Sequence, residues 1–461
     1  MSVPSALLHA VGMQGLHSDS HYLSAVAAMG QKLGLVLQAP LFDVTGQCIA
    51  QSGAKVDRTL LQKMAGNQIA NAIDDVVALD DLVDVPALEA EFMTMCQSAE
   101  LPRLLTLSLG EKHRWRLIAP IAEMYWPRQA QFKLALMRDQ WPNLYAHSLC
   151  VAMVSAYLGI CEQMPEQRLT QLVAAGLMHD TGMLCMDRSW IDSSYQLTQE
   201  ERKQLSQHSV TAMQIVQAAG GMGADVEDAI LEHHERMDGT GYPRQLTGEK
   251  ISKLGRIVML AEVVTAIFDK HAGDQPAHRL TLTLKMNRQR YDTELIAHIY
   301  RLLKHSPEMQ GEHAAQIDTE ILATEVRHSM VVLTMLIEHW KKLKVKLPEK
   351  WQLLPSGRAG VYLDLRIAAL ESTLNEAGAL PEQQMSMMHV FREAPHALNE
   401  QALINREALW QIQAVIHTCQ RRWPQVNQPN EVVPKAVHDW IQRATTMLQT
   451  KNPAAAKTAK A

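Results

Sequence analysis

The stretch HHERMDGTGYP, residues 233–243, runs two adjacent histidines into a glycine-rich turn closed by Tyr242 and Pro243. The residues before it, DVEDAILEHH, carry apolar side chains at three- and four-residue spacing, so the histidines end a helix and the turn follows at once. The same spacing recurs on both sides, in AHSLCVAMVSAYLGI, QRLTQLVAAGLMH, ERKQLSQHSVTAMQIVQAAG and LGRIVMLAEVVTAIF. Residues from about 140 to 310 therefore read as a helical bundle. Thr198 followed by Glu201 is a capping-box start for the third of these helices, and Gly220-Gly221 is its natural stop.

Five of the 20 histidines fall in this bundle: His147, His179, His208, His233 and His234, with Asp180 directly after His179. Taken singly, a histidine is more often a core or surface residue than a ligand. Spread over different helices, imidazoles with a carboxylate can converge inside a bundle as one helix alone cannot arrange. Mixed nitrogen and oxygen donors without cysteine suit Zn, Mn, Fe or Ni, and point to a catalytic rather than a structural metal.

Outside the bundle the signals are weaker. In residues 1–139, LVLQAPLFD and QCIAQSG flank a Thr45-Gly46 turn and read as a hairpin, followed by a helix capped by Asp57. LFDVTG needs no reading beyond that hairpin turn. The five aspartates between Asp74 and Asp84 read as an exposed loop or a helix start. Residues 311–450 are helical with breaks at Pro348, Pro355 and Pro424, and 451–461 are a low-complexity, mobile tail. The lysines at 341, 342, 344, 346 and 350 read as a solvated helix end, and Met385, Met387 and Met388 as core filling.

With 461 residues, 47% hydrophobic and 20% charged, the chain is neither disordered nor a disulfide scaffold. A net charge of -5 provides no bulk attraction for a nucleic-acid polymer or an anionic membrane. Six well-separated cysteines, no signal-peptide pattern and no run of about 18 apolar residues lead to the expectation of a cytoplasmic protein without membrane spans. Oligomeric state is not readable.

The order His147, LMHDTGM, His208, HHERMDGTGYP and Glu262 resembles the HD-GYP family, HD-domain metal-dependent phosphohydrolases that hydrolyse cyclic di-GMP. The resemblance covers about 140–300 and marks a divergent member. It implies an HD-domain helical bundle there; with the small α+β N-terminal part and the helical C-terminal extension read from the residues, the fold class is mainly α. The divisions are 1–139, 140–310, 311–450 and 451–461. The resemblance also implies His179 and Asp180 as catalytic anchor, with Asp180 bridging two divalent transition metal ions, Fe or Mn first. His147 and Glu262 would complete one ion, and His208, His233 and His234 would bind the other. Gly241, Tyr242 and Pro243, with Asp238 in the same turn, imply a loop for substrate access or for contact with diguanylate cyclase domains. Glu235 and Asp238 read from the residues as turn-fixing groups.

Four positions depart from the family pattern. Met183 replaces a lysine, which removes a cation from beside the phosphate. Glu262 replaces an aspartate and remains a carboxylate. The segment FDKHAGD, residues 268–274, lacks the expected basic residues, with Lys270, His271 or Arg279 as substitutes. Asn143, one turn before His147, stands where members with a third metal carry glutamate, so two ions are expected. The leading expectation is a cyclic dinucleotide phosphodiesterase; the alternative is a weak or inactive domain acting as a cyclic-dinucleotide sensor or scaffold.

Overall fold

The Gly220-Gly221 stop and the Thr198 capping box both mark helix boundaries in a computed structural model of the chain, which describes residues 19–64, 67, 69–191, 195, 197–309, 319–393 and 395–449. The tail 451–461 lies outside these residues. The described chain is mainly α, with one two-stranded antiparallel sheet, and forms two compact units: 1–277 with 288–310, and 278–287 with 311–461.

The first unit begins with α1 (Ser20–Leu33), N-capped by Asp19, whose carboxylate accepts from the His21 and Tyr22 amides. Strands β1 (Leu41–Phe42) and β2 (Cys48–Ala50) form the hairpin, and the Asp43 carboxylate ties its turn by accepting from the Thr45 and Gln47 amides. Helix α2 (Arg58–Met64) is capped by Asp57, and α3 (Ile73–Val76), α4 (Val85–Ser98), α5 (Glu100–Leu109) and α6 (Ala119–Ala122) follow. The aspartate run divides. Asp84 caps α4, accepting from the Ala87 amide, and Asp74 lies in the first turn of α3, so both stand at helix starts; Asp74 is also fully buried, where Lys133 and Tyr22 both bond its carboxylate.

Then come α7 (Arg128–Gln140), α8 (Pro142–Cys161), α9 (Glu166–Met178), α10 (Gln199–Leu205), α11 (His208–Ala219), α12 (Ala224–Glu232) and α13 (Lys253–Lys270). The capping box at Thr198 is present, and Gly220 ends α11. The single helix expected from 201 to 220 is in fact two, broken at Ser206-Gln207 so that His208 opens a new helix. Helix α8 is the centre, packed by α7, α9 and α13. By length and composition it is apolar enough to cross a membrane, contrary to the expectation of no such run, yet 78% of its apolar window is buried within this unit. A helix surrounded by others is hydrophobic on every face for that reason alone.

The chain continues through α14 (Pro276–Met286), whose residues from 278 on belong to the second unit, and α15 (Thr293–Leu303) in the first. The second unit adds α16 (Thr319–Val345), α17 (Arg358–Glu376), α18 (Pro381–Glu393), α19 (Pro395–Arg422) and α20 (Val432–Gln449). Its core gathers Leu336, Trp340, Trp351, Leu363, Ile412 and Trp440, and the Trp440 indole donates to the Leu336 carbonyl at 3.0 Å. Lys341 and Lys344 at the end of α16 pair with Glu371 and Asp364. Met388 packs on the core, whereas Met385 and Met387 are exposed on the other side of α18, so core filling accounts for only one of the three.

Candidate metal centre

Three of the five histidines use one local device. His179 ends α9, His208 opens α11 and His233 ends α12. Each Nδ1 donates to the carbonyl three residues earlier: His179 to Gly176 at 2.8 Å, His208 to Leu205 at 2.7 Å, His233 to Ile230 at 2.6 Å. Helix ends leave such carbonyls unpaired, and the bond puts the proton on Nδ1 and the lone pair on Nε2. All three Nε2 atoms then point to one buried place.

There the nitrogens meet one another rather than donors. His208 Nε2 lies 3.2 Å from His233 Nε2 and 3.0 Å from His234 Nε2. Asp180 stands between two groups: its Oδ1 is 3.3 Å from His208 Nε2 and 3.8 Å from His233 Nε2, while its Oδ2 is 3.5 Å from His179 Nε2. On the other side Glu262 Oε2 lies 2.7 Å from His147 Nε2 and 3.3 Å from His179 Nε2. The structure thus brings together all seven residues singled out, from five helices: His147, His179 and Asp180 form one set, Asp180, His208, His233 and His234 another, and Glu262 lies beside the first.

The donor set fits a cation. Two imidazole nitrogens that both carry lone pairs cannot bond each other, and His179 Nε2 is buried without a hydrogen-bond partner. A positive ion among these atoms satisfies them all. Electrostatics agree. Burial opposes protonation of His179, but Asp180 and Glu262 outweigh it and push its pKa up to about 10. His147 is raised likewise against its burial, chiefly by Glu262. Burial, with neighbouring imidazoles, drives His233 down to about 3 and holds His234 well below the usual range. Burial would raise both carboxylates, yet His179 holds Asp180, and His147 holds Glu262, well below the ordinary carboxylate value. Both carboxylates stay charged and His233 and His234 stay neutral, the states that bind metal, while the protons that the carboxylates draw onto His147 and His179 are ones an ion would displace.

Surrounding groups fix the ligands. Asp269 Oδ2 accepts from His147 Nδ1 at 2.7 Å, a carboxylate-histidine pair of the kind that orients metal ligands. Sequence reasoning missed it, although Asp269 follows Glu262 by seven residues and so shares its face of α13. The turn Thr181–Cys185 packs on α11 so closely that a Cβ on Gly182 would lie 2.0 Å from the His208 carbonyl. Met183 is buried in that turn.

The loop after His234 is held from below. The Glu235 carboxylate accepts from the Arg244 and Leu246 amides at 2.6 and 2.9 Å, and Asp238 accepts from the Thr240 amide at 3.0 Å. Glu232, also unanticipated, pairs with Arg244 and accepts from the Ser252 amide. Gly241 passes so near Glu235 that a Cβ would lie 2.4 Å from its Cα, which explains the glycine. Tyr242 is thereby laid against the His234 ring, centroids 4.8 Å apart, and the Tyr242–Pro243 peptide is cis. Of the expected substitutes for the missing base, Lys270 ends α13, His271 caps it, and Arg279 belongs to the second unit. Asn143 is exposed in the first turn of α8.

A helical bundle that gathers histidines and carboxylates from several helices around an Asp shared by two ligand sets defines the HD-domain class. Residues 131–295 match the family model of the HD domain, and this match, with the relatives named below, supports an HD-GYP-type family member. It is similar to a cyclic di-GMP phosphodiesterase of Pseudomonas aeruginosa, 32% identical over 30% of this chain and 33% of that one. It is also similar to the 3'3'-cGAMP-specific phosphodiesterase 3 of Vibrio cholerae, 24% identical over 57% of this chain and 55% of the other. A third relative is the cyclic di-GMP phosphodiesterase response regulator RpfG of Xanthomonas campestris, 32% identical over 25% of this chain and 30% of its own length. The chain spans between 30% and 55% of the length of these relatives.

Proposed function

We propose that this protein is a metal-dependent phosphodiesterase acting on a cyclic dinucleotide, cyclic di-GMP first, and yielding the linear dinucleotide or mononucleotides. The observation that carries the reading is the split of Asp180, with one oxygen toward His179 and the other toward His208 and His233. His147, His179, Asp180 and Glu262 would hold one divalent transition ion, and Asp180, His208, His233 and His234 the other, Fe or Mn first among candidates. Bound there, the ions would supply Lewis acidity toward a phosphoryl oxygen and a lowered pKa for the attacking water. The chain's own part is to hold both ligand sets at once. Asp269 orients His147, three helix-end carbonyls orient His179, His208 and His233, and Tyr242 covers one face of His234.

In this reading residues 1–139 regulate, 140–310 catalyse and 311–450 form a helical extension; the protein works in the cytoplasm, consistent with six free cysteines. Asp238, Gly241, Tyr242 and Pro243 form the substrate-side loop and a contact for diguanylate cyclase domains. A second reading, a sensor that binds without cleaving, is favoured by one observation: the buried turn after Asp180 carries the uncharged Met183. Metal analysis with product analysis on one purified sample separates them. Hydrolysis of cyclic di-GMP, its hybrid cyclic dinucleotide or neither decides between enzyme and sensor, and absence of any loadable transition metal removes both. Single-turnover hydrolysis by Met183→Lys should rise about tenfold to a hundredfold, equivalent to about 1.4–2.7 kcal/mol. No gain would mean that a missing cation is not what limits the rate.

A further inference from the structure

A cyclic dinucleotide carries two phosphates and two bases, and a metal pair can hold only the phosphate being cleaved. The remaining charge needs a cation elsewhere on the same face. Most basic side chains in the bundle are already engaged: Lys133 with Asp74, Arg168 with Asp225, Arg244 with Glu232, Lys253 with Glu162, Arg256 with Glu249 and Asp292. Arg236 is bound to the His233 and Glu235 carbonyls and lies over the Tyr291 ring.

Arg188 is different. It is the first basic residue after Asp180, eight positions on, and is exposed. Its guanidinium lies 5.9 Å from the centre of the Trp141 ring, and it forms no ion pair among the described residues. Trp141 is the residue immediately before α8, six positions ahead of His147, or about 9 Å along a helix. The Trp141 ring is buried, and its indole N–H is buried without an acceptor. A rigid aromatic plate under an exposed guanidinium limits the freedom that arginine loses on binding an anion, and leaves its forked donors facing outward.

We infer that Arg188, seated on Trp141, is a substrate-binding residue that takes the second phosphate of a cyclic dinucleotide, supplying a cation that the Thr181–Cys185 turn lacks. This rests on the proposed function and adds its recognition element. An arginine stacked on a buried ring is a fixed point of positive charge, suited to a ligand with two phosphates at a fixed separation. Lys270, exposed at the end of α13, is a rival cation and lies over no aromatic ring among the described residues.

The test is equilibrium binding of cyclic di-GMP and of 3'3'-cGAMP to metal-loaded protein, with metal content measured in every sample. Arg188→Ala should weaken binding about tenfold to a hundredfold, and Arg188→Lys should restore only part, because lysine keeps the charge but loses the fork. The salt dependence of binding should flatten in Arg188→Ala. Unchanged affinity in Arg188→Ala, or a loss confined to Lys270→Ala, overturns the inference while leaving the proposed function standing. Metal-loaded wild type that binds neither nucleotide overturns the proposed substrate, and the inference with it.

Discussion

Lys133, Asp74 and Tyr22 form one buried polar cluster of the first unit; His147, His179, Asp180, His208, His233, His234 and Glu262 form the other. In the first, ammonium meets carboxylate, the phenol donates to the same carboxylate, and the ammonium also lies over the phenol ring. In the second, two acceptor nitrogens, His208 Nε2 and His233 Nε2, face each other across 3.2 Å. Buried polar groups must be satisfied. One cluster does it internally and is closed; the other leaves acceptors that a cation from outside would satisfy. Burial of charge therefore does not by itself mark a functional site. What marks it is a set of donors of one kind turned inward.

The largest expected effect breaks the open cluster at its shared member. Asp180→Ala should lose most of both ions, from about two per chain, and lower hydrolysis by at least about a thousandfold. Elemental analysis with a rate measurement checks it. Full metal retention would show that the two ligand sets do not share Asp180.

Breaking the closed cluster should do the reverse. Lys133→Met leaves the Asp74 carboxylate buried without its cation, at a cost of about 3–5 kcal/mol in stability. The protein that remains folded should keep its metal. Denaturant unfolding, with metal content measured on the folded fraction, is the measurement, and adding Asp74→Leu to Lys133→Met should recover most of the loss. A variant that lost metal while keeping its stability would merge the two clusters into one site.

The difference between these clusters also decides what could be read from the sequence. The open cluster announced itself because most of its members are histidines, two of which run straight into a distinctive turn, HHERMDGTGYP, and the helix patterns around it were strong. The closed one was invisible: Asp74 lies in an acidic run that reads as solvated, and its partner is 59 residues away, a pairing that only the packing of α3 on α7 creates. The same limit hid Asp269, whose bond to His147 joins α13 to α8 across 122 residues. It also hid the break before His208, because the apolar spacing of α10 and α11 runs on through Ser206-Gln207. Local pattern carries element type; long-range pairing carries the support of the site.

Asp269 gives the smallest and sharpest test, since it touches only one end of the open cluster. Its carboxylate accepts from His147 Nδ1 and so turns Nε2 toward Glu262. Asp269→Ala should release that ring and weaken one ion only. Outer carboxylates of this type are worth about tenfold to a hundredfold in metal affinity, and the side chain is 53% exposed, so the lower end is expected. Asp269→Asn keeps an oxygen that accepts from Nδ1, so it should recover part of the loss. The ion held by His208, His233 and His234 should bind as before, as should the closed cluster, seen as an unchanged unfolding midpoint without metal. A stepwise metal titration of wild type and both variants reads this as a shift in one step of two. Equal weakening of both steps, or none in either variant, would show that His147 is not oriented by Asp269 and that the two sets are not separable.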